Sequence, residues 1–446
     1  MLRILADRIY GRLFTAQAVA LLGTGLLTIA LGLTAFELEG DRAGQILGIA
    51  LTIKMLAYVG LSPVTTALVA GMDRRRVLIA ADLVRAGAAL CLPFIDAAWQ
   101  IYLLIFVLQA ASATFTPTFQ AVIPDVLPDE GDYTRALSLS RLAYDLENLL
   151  SPVLAGLLLA LILPSGLFVG TALGFLVSAA LVASVRLPRA EDHADRPFRE
   201  RLTKGTRIYL ATPRLRGLLA LNATVAAFTS VVLVLSVVVA RGIYQGSEQD
   251  LAVILGAYGV GSMAVALALP RLLDRLADRA VMLTAGAAGA VLMLVGGLYV
   301  VTAGWPAWTA TLLLWLCLGA TYAGIMTPSG RLLRRSAGSQ NRPAVFAAQF
   351  ALSHACWLVA YPASGWLGSA VGIEATMIVM GVAAAAGVAV AAAVWPRATR
   401  DEIEHVHADL PPDHPHLKDA VQRGGVWVHR HTFVIDDEHR VWPTSG

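Results

Sequence analysis

Twelve apolar runs, each close to the length a bilayer core demands, leave this chain few folds to choose from. They cover approximately 13–36, 46–70, 77–98, 100–121, 138–162, 166–185, 217–240, 251–270, 280–302, 306–328, 344–369 and 373–395. About 20 consecutive apolar residues are needed to cross the hydrocarbon as a helix. No water is available there for exposed N–H and C=O groups, so a segment of this length must close its own hydrogen bonds as a helix. The expected fold is all-α and integral to the membrane, with twelve transmembrane helices. Composition agrees, since 57% of the 446 residues are hydrophobic and only 15% charged, against roughly 25% charged in soluble domains. A soluble enzyme is excluded as the leading reading. No phosphate-cradling G-x-x-x-x-G-K-S/T loop, G-x-S-x-G elbow or H-E-x-x-H pair occurs, so no enzymatic activity and no cofactor are expected.

The net charge of +3 would suit an anionic partner such as nucleic acid, but placement matters more than the sum. Of the 34 Lys and Arg residues, all but five lie in the termini and in the connections after even-numbered runs. Arg42 and Arg241 occupy connections of the other side, while Lys54, Arg85 and Arg141 fall inside runs. Basic loops stay on the cytoplasmic side, which predicts a multi-pass protein with both termini cytoplasmic and no nucleic-acid partner. Cys91, Cys317 and Cys356 all sit in apolar runs and read as small packing residues. The first run is too long for a signal h-region and has no small-residue cleavage site behind it, so it is expected to be a retained helix.

Two polar stretches divide the chain. A basic segment separates six helices from six, giving the divisions 1–186 and 216–396 with a linker at 187–215 that is expected to lie as an amphipathic helix on the lipid surface. The remainder, 397–446, holds seven of the nine histidines. Six form the pairs His405/His407, His414/His416 and His429/His431, and the seventh is His439. Such tracts can bind metal, and alternate residues of a strand such as VWVHRHTFVI share a face. The pairs are irregularly spaced and no Cys accompanies them, so no metal site is assigned, and a solvated cytoplasmic tail is expected.

Comparison of the halves reveals a repeat. TALVAGMDRRRVLI (Thr66 to Ile79) aligns with PRLLDRLADRAVML (Pro270 to Leu283), placing Asp274 and Arg275 opposite Ala70 and Gly71. Helix 5 carries Pro152 and Gly156 where helix 11 carries Pro362 and Gly365. Duplicated halves with Gly/Pro-interrupted helices are how secondary transporters bring a site to the bilayer midplane.

Three segments then resemble the major facilitator superfamily (MFS), over roughly 10–395. They are SPVTTALVAGMDRRRVLIAADLVRA (Ser62 to Ala86), FTPTFQAVIPDVLPDEGDYTRALSLSR (Phe115 to Arg141) and SPVLAG (Ser151 to Gly156). They look like the loop between helices 2 and 3, the exit of helix 4 and a degenerate Gly-Pro antiporter motif at Pro152 and Gly156. The match is to the bacterial drug and siderophore exporter branch, which contains enterobactin and macrolide efflux proteins. The resemblance implies two pseudo-symmetric six-helix bundles in a bacterial inner membrane. It also implies proton-coupled efflux of an amphipathic small molecule by a monomer. Where the family has Gly and then a gate Asp-Arg, this chain has Thr66 and then Ala70-Gly71. The gate role is expected to move to Asp73 with Arg74, Arg75 and Arg76, or to Asp274 with Arg275, Asp278 and Arg279, or to be lost.

Ionisable groups inside spans cost roughly 2.5–3.5 kcal/mol on insertion scales and are functional candidates by default. For proton coupling these are Asp145 and Glu147 on helix 5, His354 on helix 11 and Lys54 on helix 2. Arg141 and Asp145 are placed to neutralise one another at i, i+4. Glu147 lies about 200° around from Asp145 and needs another partner, for which Lys54 is a candidate. Asp82 and Arg85 read as a structural pair. In the family helices 1, 4, 7 and 10 line the cavity, which makes Gln17, Thr24, Gln109, Asn222, Trp315 and Tyr322 substrate-cavity candidates. Two other functions fit the same sequence: a lipid or uncoupled carrier, and a membrane sensor regulated by metal on the tail.

Overall fold

The computed structural model describes residues 2–39, 43–69, 71–159, 161–163, 165–188, 198–338, 340–396, 402–407, 421–423, 426–435, 439 and 442. In the first half run α1 (Arg8–Glu39), α2 (Ala43–Leu56), α3 (Ser62–Leu68), α4 (Arg74–Cys91), α5 (Ala98–Val126), α6 (Glu130–Leu159) and α7 (Gly166–Ala183). The linker carries α8 (Phe198–Ala211). The second half holds α9 (Pro213–Val237), α10 (Glu248–Leu273), α11 (Asp278–Ala303), α12 (Trp308–Arg335), α13 (Arg342–Ala370) and α14 (Ile373–Val394). With α2 and α3 taken as one rod, the described residues form six membrane-length rods on each side of α8.

The second rod was expected to be continuous but is interrupted by a π turn at Ala57–Leu61. Pro63, at the start of α3, has no N–H to donate to the Val59 carbonyl, and its ring crowds that carbonyl. An i→i+5 turn absorbs the mismatch. Ten of the described helices are individually long and apolar enough to cross a membrane. The exceptions are this interrupted rod and α6, whose apolar pattern is broken by Asp132, Arg135, Arg141, Asp145 and Glu147.

The halves repeat one packing scheme. In the first, α1 packs on α7, α4 on α5 and α7, and α2 on α5; in the second, α9 packs on α14, α11 on α12 and α14, and α10 on α12. The α10–α12 contact is the closest-set of these, because a Cβ at Gly261 would strike the Leu316 carbonyl and one at Gly319 the Tyr258 carbonyl. Small residues let membrane helices approach backbone to backbone in this way.

Asp82 and Arg85 form an ion pair inside the first half, as expected, with side chains 0% and 6% exposed. Ser178 Oγ donates to Asp82 at 2.8 Å. The guanidinium lies 4.1 Å from the Phe115 ring centroid and 4.5 Å from that of Phe175. Breaking such a pair leaves a buried charge without its partner, at a cost of about 3–5 kcal/mol. Asp82→Ala is therefore expected to lower the detergent-solubilised protein's thermal midpoint by several degrees; an unchanged midpoint would mean that the pair holds nothing together.

The tail forms a three-stranded antiparallel sheet in the order β1–β3–β2, from β1 (Glu402–His407), β2 (Val421–Arg423) and β3 (Val426–Thr432). Phe433 and Ile435, just past β3, are 3% and 1% exposed and join the core of the second half together with Trp395. Arg214 on α9 lies 5.6 Å from the Trp442 ring. A solvated tail was expected. Phe433 and Ile435 are instead buried against the second half, near the chain end of α14.

Candidate functional site

Three of the four coupling candidates come together around Tyr58, where α2 and its π turn meet α13. Lys54 stands on the last turn of α2, just before the π turn. Its Nζ lies 5.7 Å from the ring centroid of Tyr58, which the π turn carries. The Tyr58 ring crosses to the second half, 4.7 Å from Phe350 and 4.8 Å, edge on, from His354. His354 Nδ1 is 2.7 Å from the Phe350 carbonyl oxygen. Glu147 on α6 lies within electrostatic reach of both Lys54 and Tyr58, and α1 allows α6 to come close at Gly25, where a Cβ would strike Ser151 Oγ. A cation and an imidazole thus lie at one aromatic ring across the boundary between halves, with a carboxylate in electrostatic reach. Asp145, Pro152 and Gly156 lie on α6, but their side chains fall outside the described residues, as do that of Arg141 and the whole of Ala70.

A second set of polar contacts joins the halves at the basic end of the bundle. Asp125, at the end of α5, accepts from Arg74 at 2.6 Å and from Arg342 of α13. Glu130, opening α6, pairs with Arg331 at 2.9 Å and Arg335 at 2.5 Å on α12. Those arginines continue to Asp278 of α11, at 3.5 Å and 3.1 Å. Tyr133 donates to the Gly330 carbonyl at 3.2 Å, and Arg334 donates to the Pro128 carbonyl. Partial burial alone would raise the Glu130 carboxyl, but the Arg335 and Arg331 guanidiniums outweigh it and hold the group below its ordinary 4.5. A depressed carboxylate contributes stability above its unfolded pKa and loses it as pH falls through the folded one, so Glu130 holds its place in the latch at neutral pH and gives it up in acid.

The sequence anticipated this network in part. Arg74 and Asp278 belong to it. Asp73 instead caps α4, accepting from the Arg75 and Arg76 amides, because a free N-terminal turn competes for a nearby carboxylate. Arg75 donates to the Ala183 carbonyl and so stays within its own half. Arg279 donates to the Trp395 and Ala392 carbonyls at the end of α14, at 2.9 Å and 3.0 Å. Arg76, Asp274 and Arg275 are exposed. Asp125, Glu130, Arg331, Arg335 and Arg342 were not anticipated. The available signal was the four acids of VIPDVLPDEGD, at the exit of a helix whose loop partners are basic.

The linker helix α8 also bridges the halves, packing on α3 of the first and on α13 of the second. Lys204, Ile208 and Tyr209 are 8%, 1% and 0% exposed. Tyr209 donates to Gln349 of α13, and a Cβ at Gly205 would strike the Ala344 carbonyl. Below α8 lies a cavity of about 120 Å³, lined by Thr66 and Arg74 from one half, Lys204, and Asn341 and Ala344 from the other.

The cavity candidates divide. Gln17 accepts from Ser140 at 3.1 Å, tying α1 to α6. Gln109 is 6% exposed, with its Oε1 buried without a hydrogen-bond partner. Thr24 and Asn222 bond to carbonyls of their own helices. Tyr322 lies half-buried beside Tyr258 at 5.8 Å. Trp315 is 1% exposed and donates to Ser236 at 2.7 Å; it packs in the core of the second half, where a polar handle meets a hydroxyl.

Comparison with known proteins gives the same fold. The Major Facilitator Superfamily model matches residues 13–305 and 219–433. Macrolide efflux protein A of Streptococcus pyogenes is 26% identical over 185 residues, which are 40% of this chain and 45% of that protein. Its namesake in Enterococcus faecalis is 27% identical over 142 residues, 31% of this chain and 44% of the relative. The matched region thus spans less than half of these relatives. The structure of a bacterial homologue of the iron transporter ferroportin, in an outward-facing state, superposes with a TM-score of 0.69 at 14% identity, over 86% of this chain and 99% of the other. The human organic anion transporter MFSD10 (TETRAN) gives 0.68 at 13%, with the same coverage.

Proposed function

The chain belongs to the Major Facilitator Superfamily, and from that premise we propose that it exports an amphipathic small molecule across a bacterial inner membrane in exchange for protons. The basic end faces the cytoplasm on this reading. The observation that carries the coupling is the cluster of Lys54, Glu147 and His354 around Tyr58, because it sits where the two halves must part. The relatives' macrolide efflux supports the substrate class.

On this reading the latched end is the cytoplasmic one, and in this state the cluster takes its proton from the outside. A proton entering from there neutralises Glu147 and removes its attraction for Lys54. Uncompensated, Lys54 favours the opposite arrangement, in which the latch opens and the cluster faces the cytoplasm. There the proton leaves and substrate takes its place, resetting the charges for the return. A ligand shifts such an equilibrium only by its differential affinity for the two states, and a single titrating carboxylate beside a fixed cation provides that difference for the proton.

Expression in a bacterial host stripped of its own pumps tests the export. Cells carrying the chain are expected to accumulate less of an amphipathic antibiotic such as a macrolide, and the difference should vanish when a protonophore collapses the gradient. Equal accumulation with and without the protein, across a panel of macrolides, other drugs and siderophores, would reject it.

A further inference from the structure

The histidine pairs of the tail are irregular along the sequence, yet the sheet sets two of them, His405/His407 and His429/His431, on neighbouring strands. In the antiparallel β1–β3 ladder His405 stands opposite His429, Ile403 opposite His431 and His407 opposite Trp427. Residues two apart on a strand, and cross-strand partners, share a face. One face of this ladder therefore carries His405, His407, His429 and His431, while Glu402, Glu404, Val406, Val428, Arg430 and Thr432 occupy the other.

We propose that this face of β1 and β3 is a binding site for one divalent transition-metal ion, zinc or nickel, held by His405, His429 and at least one of the flanking histidines His407 and His431. Directly opposite positions place Cβ atoms about 4.5–5.5 Å apart and diagonal ones about 7–8 Å apart. Two imidazoles, each bonding a zinc ion at about 2.0–2.1 Å, span both separations. His407 is diagonal to His429, and His431 to His405, so either one completes a three-position set with the central pair. An all-imidazole set suits zinc, nickel and copper, and disfavours magnesium and calcium. Neutral imidazole is the ligand, so affinity falls as pH drops below the ordinary histidine pKa of about 6.5.

The sheet is also attached where an ion could be felt. Phe433 and Ile435, directly after β3, are buried in the core of the second half. His439 packs on Phe433 at 4.7 Å, and Trp442 lies against Arg214. An ion joining β1 to β3 thus braces a segment whose next residues dock beside the ends of α9 and α14.

The test uses the full-length protein in detergent, stripped with a chelator and titrated with Zn²⁺ alone, with Co²⁺ as a spectroscopic reporter of four-coordinate nitrogen ligation. One ion per chain is expected. Loss of an outer partner alone costs about 10–100-fold in metal affinity, so removing two ligands in His405→Gln/His429→Gln should weaken binding at least about a hundredfold and abolish the Co²⁺ absorption. His414→Gln/His416→Gln should leave both unchanged. Limited proteolysis separates loss of ligands from loss of the sheet, because apo wild type and the double variant should be cleaved alike in the tail, and only wild type should gain protection with Zn²⁺. Undiminished affinity in His405→Gln/His429→Gln, an equal loss in His414→Gln/His416→Gln, or a stoichiometry of zero would overturn the assignment.

Discussion

Glu147→Gln, reconstituted in vesicles with an imposed pH gradient, is expected to move substrate only down the substrate's own gradient, while substrate–substrate counterflow continues. The glutamine has the shape of the protonated carboxyl and cannot release a proton. It therefore removes the difference between charged and neutral states that Lys54 feels electrostatically. Each pH unit is worth 1.36 kcal/mol, or a factor of ten in accumulation for one proton per substrate, and the variant should lose all of it. Counterflow persists because exchange of substrate for substrate needs no net proton transfer. Lys54→Met/Glu147→Gln, in which neither charge is left buried alone, is expected to be folded and equally uncoupled, which separates coupling from stability. Accumulation that still follows the pH gradient in Glu147→Gln would remove this carboxylate from the mechanism.

The second large effect belongs to Asp125. It is the shared acceptor of Arg74 from the first half and Arg342 from the second, and both guanidiniums are mostly buried, at 6% and 17% exposure. Asp125→Asn leaves the two cations facing each other across the seam. Losing one partner of a wholly buried pair costs about 3–5 kcal/mol; with Asp125 itself 14% exposed, a shift of about 2 kcal/mol, roughly thirtyfold, toward the state with this end open is expected. Spin labels at Met72 and Gln340, which flank the cavity from opposite halves, should report a longer distance in the variant. Arg75→Gln should not shift it, since the Arg75 guanidinium bonds only within its own half. An unchanged distance in Asp125→Asn would show that the latch does not hold the halves together.

The rods could be read from the sequence because the bilayer fixes both their length and their apolarity, and the repeat could be read because duplicated halves pack alike. The break in the second rod could not, since a π turn depends on how one proline conflicts with one carbonyl. Lys54, Glu147 and His354 announced themselves by the cost of placing ionisable groups in lipid, but their meeting at Tyr58 is a tertiary fact. The latch was legible on its basic side, through the excess of arginine in the loops. Its carboxylates, Asp125 and Glu130, looked like ordinary loop acids. An aromatic with a polar handle fits a cavity wall and a core equally well, so the sequence could not show that Trp315 donates to Ser236 inside the second half. The tail's strand pattern gave the alternation of its histidines, and only the register of β1 against β3 put the pairs together.

The most direct test of the coupling is the slope of accumulation against the pH gradient in vesicles containing the wild-type chain. With the membrane potential clamped at zero, exchange of one proton per neutral substrate predicts a tenfold rise in the limiting substrate ratio for each pH unit, with protons moving against the substrate. A limiting ratio of one at every gradient would contradict the account.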